Sequence, residues 1–280
     1  MRAPPAHDPA AAIPVQPQEW RLRLLGRFGL TSAGAHSLGN AGQRLLALLA
    51  VHAGALPRWQ TAQLLYPDAA DAHASSNLRA VLWRLQRGCP TVVQPAAAEI
   101  RLAADVTVDY WAAARTARRL IAGPAAFGAD ELTPVLQLSL LHDLLPGWPD
   151  PWLVPERERF HQLRLHALEA LCARLTSCGR HGAAVDVGLA VVGADPLRES
   201  AQRALIDAYL AEGNPSEAIR QYNAFRSLLR SELGLQPTSA LRNRLAASIG
   251  QGDSAHRDRK SAHRPGGQAR SSTGASPRSS

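Results

Sequence analysis

The stretch Ser75-Ser-Asn-Leu-Arg-Ala-Val-Leu-Trp-Arg-Leu-Gln-Arg-Gly88 decides how the first half of this chain is read. Leu78, Val81, Leu82 and Leu85 recur at i, i+3, i+4 and i+7, the apolar stripe of a helix packed on a core. The spacing predicts a helix over 75–88, with Ser75 or Ser76 available to cap its start. The opposite face carries Ser76, Arg79, Ala80, Trp83, Arg84 and Arg87, with Asn77 at its edge. Arg bonds the guanine edge bidentately and Asn reads adenine, so such a face suits the major groove of DNA. A solvated amphipathic helix has the same pattern, and the neighbouring elements must discriminate.

Upstream, Trp20-Arg-Leu-Arg-Leu-Leu-Gly-Arg-Phe-Gly-Leu30 alternates with short period, as in a strand with one buried face. Gly26, Gly29 and Gly34 punctuate a small meander reaching about Leu38. Gln43 to Ala53 reads as a buried helix closed by Gly54, and Arg58 to Tyr66 as a second helix stopped by Pro67. Downstream, Thr91–Val93 and Ile100–Val108 form two β segments joined by Gln94-Pro-Ala-Ala-Ala-Glu99. A β-meander, three helices and a β-hairpin in this order describe a winged helix-turn-helix preceded by extra strands. Arg44 and Arg58, near helix starts, are candidate phosphate clamps, and Arg101 in the wing is placed for a phosphate or the minor groove. Trp83, a large aromatic on an exposed face, calls for a partner: a sugar, a thymine methyl or, as the leading expectation, a wing residue.

From Tyr110 onward the pattern is helical. Leu171, Leu175, Gly179, Ala184 and Ala190 recur thirty-four positions later as Leu205, Tyr209, Gly213, Ala218 and Ala224. A helix-turn-helix unit of that period is the tetratricopeptide (TPR) signature. Segments 110–122, 130–145 and 238–248 are expected to flank the two clear units. The fold class is therefore mainly α with a small β portion. The chain divides into an arm (1–19), a winged-helix DNA-binding domain (20–109), an all-α TPR-like repeat domain (110–249) and a basic, disordered tail (250–280).

The net charge of +8 is unevenly spread, with +4 over residues 20–109, +4 over the tail 251–280 and only +1 between them. A basic excess confined to one domain and a tail suggests a polyanionic partner. One Lys stands against thirty Arg, a bias that a GC-rich bacterial genome imposes, so Arg content by itself argues little. Cys89, Cys172 and Cys178 form no CxxC pair and read as reduced thiols. No signal peptide and no membrane span is expected, which points to the cytoplasm, in association with the nucleoid. His161 and His166 are five apart and share no helix face, so no metal is expected. Gly26-x-x-Gly29 lacks the Gly-Lys-Ser/Thr ending of a phosphate loop. No nucleophile has a base beside it; neither an enzyme nor a cofactor is expected.

Trp20–Gly29, Gly42–Ala50, Leu64-Leu-Tyr-Pro67 and Ser76–Arg87 resemble the OmpR-type winged helix of the SARP family of bacterial activators. Leu144-Leu-Pro-Gly-Trp-Pro-Asp-Pro-Trp152, Glu156–Phe160, Leu163–Leu168, Asp195–Ser200, Glu217–Tyr222 and Glu232-Leu-Gly-Leu-Gln-Pro237 resemble its bacterial transcriptional activator domain (BTAD). The resemblance implies a winged helix that binds promoter direct repeats in double-stranded DNA. It also implies a helical domain that dimerises and a complex that recruits RNA polymerase. The hairpin departs from the family: Ala98-Glu-Ile-Arg-Leu102 has neither the Gly nor the Tyr usual in the wing. The alternative reading is a TPR-type protein-interaction adaptor with weak or lost DNA binding.

Overall fold

A computed structural model describes residues 19–123 and 140–247. The expected arm through Gln18, most of the helix expected over 130–145 and the expected tail lie outside the described residues. The chain forms two compact units, one up to Arg174 and one from Leu175.

In the first unit, β1 (Arg21–Arg23), β2 (Gly29–Thr31) and β3 (Ala35–His36) form an antiparallel meander, with Leu22 opposite Leu30. Trp20, Leu22 and Leu24 are buried while Arg21 and Arg23 are exposed, so the alternation in the sequence is the pleat itself. Next, α1 (Asn40–His52) buries every side chain from Leu45 to Val51. A helix apolar all round belongs at the centre of a core. It does not close at Gly54: Ala53 adopts the left-handed conformation (φ 51°) and its amide donates to Leu49 O. The strand β4 (Leu56–Pro57) leads into α2 (Arg58–Leu65), which Pro67 follows.

Helix α3 spans Asp71–Gly88 and so begins four residues before the expected start. Buried Ala74 continues the stripe of Leu78, Val81, Leu82 and Leu85 one turn back, and the Asp71 carboxylate sits at the positive end of the helix. Ser75 and Ser76 therefore lie inside the helix and do not cap it. The hairpin β5 (Val93–Pro95) and β6 (Glu99–Leu102) joins β4 in a sheet of order β4-β6-β5. The expected single segment 100–108 is two strands, because the chain turns at Ala103–Val106 (Val106 N–H to Ala103 O, 3.2 Å). The second strand, β7 (Thr107–Val108), runs parallel to β1 in the other sheet, of order β3-β2-β1-β7.

The sequence suggested a boundary after residue 109, yet the compact unit continues through α4 (Asp109–Ala122) to Arg174. Asp109 accepts the amides of Leu24 and Leu25 at the end of β1, and Trp111 Nε1 donates to Ala50 O in α1 at 2.7 Å. Further on, Gly26 N–H bonds Asp143 O and Leu145 N–H bonds Leu24 O, both at 2.9 Å. The segment 143–150 is thus hydrogen-bonded to the winged helix before a 3₁₀ turn (Pro151–Leu153) opens α5 (Val154–Ser177).

The second unit stacks α6 (His181–Ala194), α7 (Glu199–Glu212), α8 (Pro215–Leu233) and α9 (239–247). The repeat is visible in hydrogen bonds. Gly179 N–H to Thr176 O and Arg180 N–H to Leu175 O recur as Gly213 N–H to Leu210 O and Asn214 N–H to Tyr209 O. Both glycines have positive φ (73° and 87°), the left-handed closure that residues with a Cβ resist. Gly188 packs on Leu205 so closely that a Cβ would meet Leu205 Cα at 3.2 Å. Ile206, Ala218, Tyr222, Phe225, Leu229, Leu241 and Leu245 form the core of α7, α8 and α9. Ala224, the last position of the expected repeat register, is exposed, because α8 buries the stripe of Tyr222, Phe225 and Leu229 instead.

Candidate nucleic-acid interface

Burial of Leu78, Val81, Leu82 and Leu85 fixes the rotation of α3 and turns its other side outward. Ser76, Asn77, Arg79, Trp83, Arg84 and Arg87 are all exposed. No side-chain hydrogen bond or ion pair joins Arg79 or Arg84 to another described residue, so both guanidinium groups are available to a ligand. Arg87 lies over the Trp83 indole, its guanidinium carbon 4.8 Å from the ring centroid, a cation–π contact. Trp83 remains 58% exposed. The expectation that it packs on the wing is therefore corrected: α3 points it outward and its partner is its own helical neighbour.

The other basic candidates are placed differently. Arg44 does not face outward. Its Nε donates to Asp150 Oδ1 at 2.6 Å and its Nη2 to Leu65 O at 2.9 Å. Asp150 is buried and also accepts Trp152 Nε1. Arg44 is thus held inside the unit and is not a free phosphate clamp; position near a helix start carried no information about the carboxylate 106 residues downstream. Arg58 braces the wing, with its amide on Ala98 O and its Nε on Ala96 O, at 2.9 and 3.0 Å. Arg101, exposed on β6, donates through Nε to Gln94 Oε1 on β5 at 3.1 Å. The wing turn is Ala96-Ala-Ala98, which offers backbone and methyl groups in place of a reaching side chain.

One exposed aromatic escaped the sequence reading. Trp59, the second residue of α2, is 63% exposed. Thr61, Ala62 and Leu65 form the buried side of α2, so residue 59 falls outside the stripe; that signal was present in the spacing. Chemistry around the helix is otherwise plain. Burial pushes the Cys89 thiol at the end of α3 up from its usual range, away from the reactive thiolate. Among the described residues no group of His, Cys, Asp and Glu is arranged to hold a metal ion, and no helix is long and apolar enough to cross a membrane.

Two sheets bracketing three helices, a hairpin after the third helix and a following helical array define a winged helix-turn-helix protein with a TPR-like helical region. The bacterial transcriptional activator domain profile matches residues 94–249, more than half of the chain. The chain belongs to that family, as its resemblance to the SARP regulators implied.

The regulatory protein AfsR of Streptomyces coelicolor is 34% identical over 99 residues, covering 35% of this chain and 10% of AfsR. AfsR of Streptomyces griseus is 30% identical over 141 residues (50% of this chain, 14% of AfsR). The transcriptional regulator RedD of Streptomyces coelicolor is 30% identical over 146 residues, 49% of this chain and 41% of RedD. The chain thus spans well under half the length of each of these relatives. Among solved structures, Mycobacterium tuberculosis EmbR, determined in complex with a low-affinity phosphopeptide, is similar with a TM-score of 0.65. At 18% identity, over 84% of this chain and 66% of EmbR, the likeness is one of fold.

Proposed function

We infer that the protein is a sequence-specific, double-stranded-DNA-binding transcription regulator, an activator that binds promoter direct repeats as a homodimer and recruits RNA polymerase. The observation that carries this is the outward face of α3, where Arg79 and Arg84 are free beside Ser76, Asn77 and the Trp83–Arg87 pair. The family and the names of the relatives, a regulatory protein and a transcriptional regulator, support the same reading. Such work is binding, not catalysis, and its partner puts it in the cytoplasm at the nucleoid.

The test is selection of a preferred duplex from a randomised pool by the full chain, followed by titration of that duplex and a scrambled one. Specific operators are bound at least about 10³-fold tighter than unrelated DNA. A dimer on direct repeats protects two half-sites separated by about 10–10.5 base pairs or a multiple of it. Recruitment is read by adding RNA polymerase to the protein–duplex complex and looking for a slower-migrating band. The alanine turn of the wing favours one rival, an interaction adaptor with weak DNA affinity. Equal affinity for selected and scrambled duplexes would turn the assignment to that rival.

A further inference from the structure

Trp83 stands near the centre of the outward face of α3. At about 100° per residue, the direction opposite Ala74, Leu78, Val81, Leu82 and Leu85 passes within roughly 20° of Ser76, Trp83 and Arg87. Arg79 and Arg84 fall to either side, roughly 60° and 80° away. Arg79 and Arg84 are therefore the flanks of the face, and its crest is the Trp83 indole with Arg87 one turn further along.

A helix in the major groove aims the side chains opposite its core at the groove floor and its flanks at the sugar–phosphate walls. That floor is lined by hydrogen-bond donors and acceptors and by one apolar group, the C5 methyl of thymine. An exposed indole carried to the floor by this helix has one apolar partner there. The Arg87 guanidinium lies over one side of the ring. The stacked guanidinium keeps its N–H edge free for a second contact.

We propose that Trp83, backed by Arg87, is a thymine reader: its indole packs against the C5 methyl of a thymine in each half-site. The proposal rests on the DNA-binding reading above and names the base that the crest of α3 selects.

The experiment uses the duplex selected by the full chain, with each thymine replaced singly by deoxyuridine, which removes the methyl and nothing else. One position in each half-site is expected to lose about fourfold in affinity, the worth of one buried methyl-sized group. Trp83→Ala, which leaves the buried stripe intact and is expected to melt with the wild type, binds more weakly and no longer distinguishes thymine from uracil at that position. The slope of log affinity against log salt stays as in the wild type, because no charge has been removed. Uniform tolerance of uracil by the wild type, or a Trp83→Ala variant that keeps the sensitivity, overturns the proposal and gives the indole to another partner. A pool that yields no preferred sequence overturns the regulator reading and this proposal with it; a preferred sequence blind to the methyl overturns this proposal alone.

Discussion

Asp150 Oδ1 accepts the Nε–H of Arg44 at 2.6 Å, joining α1 to the segment that precedes α5. The Arg44 side chain is 23% exposed and that of Asp150 4% exposed, so the pair is largely out of water. Removing one member of such a pair leaves the other charge buried, which costs more than the pair contributes. Asp150→Ala also strips the acceptor from Trp152 Nε1. A loss of about 2–4 kcal/mol is expected in urea unfolding of the full chain, the lower end reflecting the water that still reaches Arg44. Arg44→Met combined with Asp150→Leu should lose less than the two single changes together and should bind the selected duplex as the wild type does. Weaker DNA binding by a stably folded double variant would restore Arg44 as a phosphate contact.

Gly188 and Gly193 lie in the same helix with opposite surroundings. A Cβ at 188 meets Leu205 at 3.0–3.2 Å, including its Cα, whereas one at 193 meets nothing within 4 Å. Gly193→Ala should stabilise the chain by about 0.5–1 kcal/mol through helix propensity. Gly188→Ala gains the same propensity but overpacks α6 on α7, and should destabilise by about 1–2 kcal/mol net. Chemical denaturation of both variants decides; a Gly188→Ala variant as stable as Gly193→Ala would mean that the two helices separate at little cost.

Asp109 gives a pH test with a definite sign. Burial raises its carboxyl above the ordinary 3.8, against the lowering by the amides of Leu24, Leu25 and Tyr110 and by the charge of Arg23. The folded chain then binds this proton more tightly than the unfolded chain. The stabilisation from this group is complete below 3.8 and is lost as pH rises through the folded value. Asp109→Asn abolishes the titration, though it costs stability at every pH by turning a donor toward an amide. The stability advantage of the wild type over Asp109→Asn should shrink as pH is raised from about 3 to about 6. An advantage that widens over that range would reverse the assignment.

Where the sequence could be read, periodicity carried the reading. The stripe of Leu78, Val81, Leu82 and Leu85 oriented α3, and with it Ser76, Asn77, Arg79, Trp83, Arg84 and Arg87. The thirty-four-residue spacing located Gly179 and Gly213, whose turns share the same hydrogen bonds. Local pattern could not show long-range partners. Nothing near Arg44 announces Asp150, and a run from Ile100 to Val108 does not show that its two ends join different sheets. The start of α3 was misjudged because Ser75 is a better cap than Ala70, yet burial of Ala74 outweighed the cap. Trp83 was read as a wing contact because exposed indoles are costly; the structure meets that cost in part through Arg87.

Arg79 and Arg84 flank the crest of α3 on opposite sides, and neither guanidinium is bonded to another described residue. Flanking positions meet the groove walls, where guanidinium groups bond phosphates and displace condensed counterions. Arg79→Ala and Arg84→Ala should therefore each weaken binding by a similar factor on the selected duplex and on a scrambled one. Each should also make the plot of log affinity against log salt shallower by about 0.9, the value for one lost phosphate contact. A base contact behaves otherwise: it costs about 1–3 kcal/mol on the selected duplex, relaxes the preference at one position and spares unrelated DNA. If Arg84→Ala follows that second pattern, Arg84 reaches the groove floor, and α3 is rolled toward it by several tens of degrees relative to the orientation argued for Trp83. The thymine preference of Trp83 and the salt slope of Arg84 are then linked measurements, since one roll of the helix cannot place both side chains on the floor.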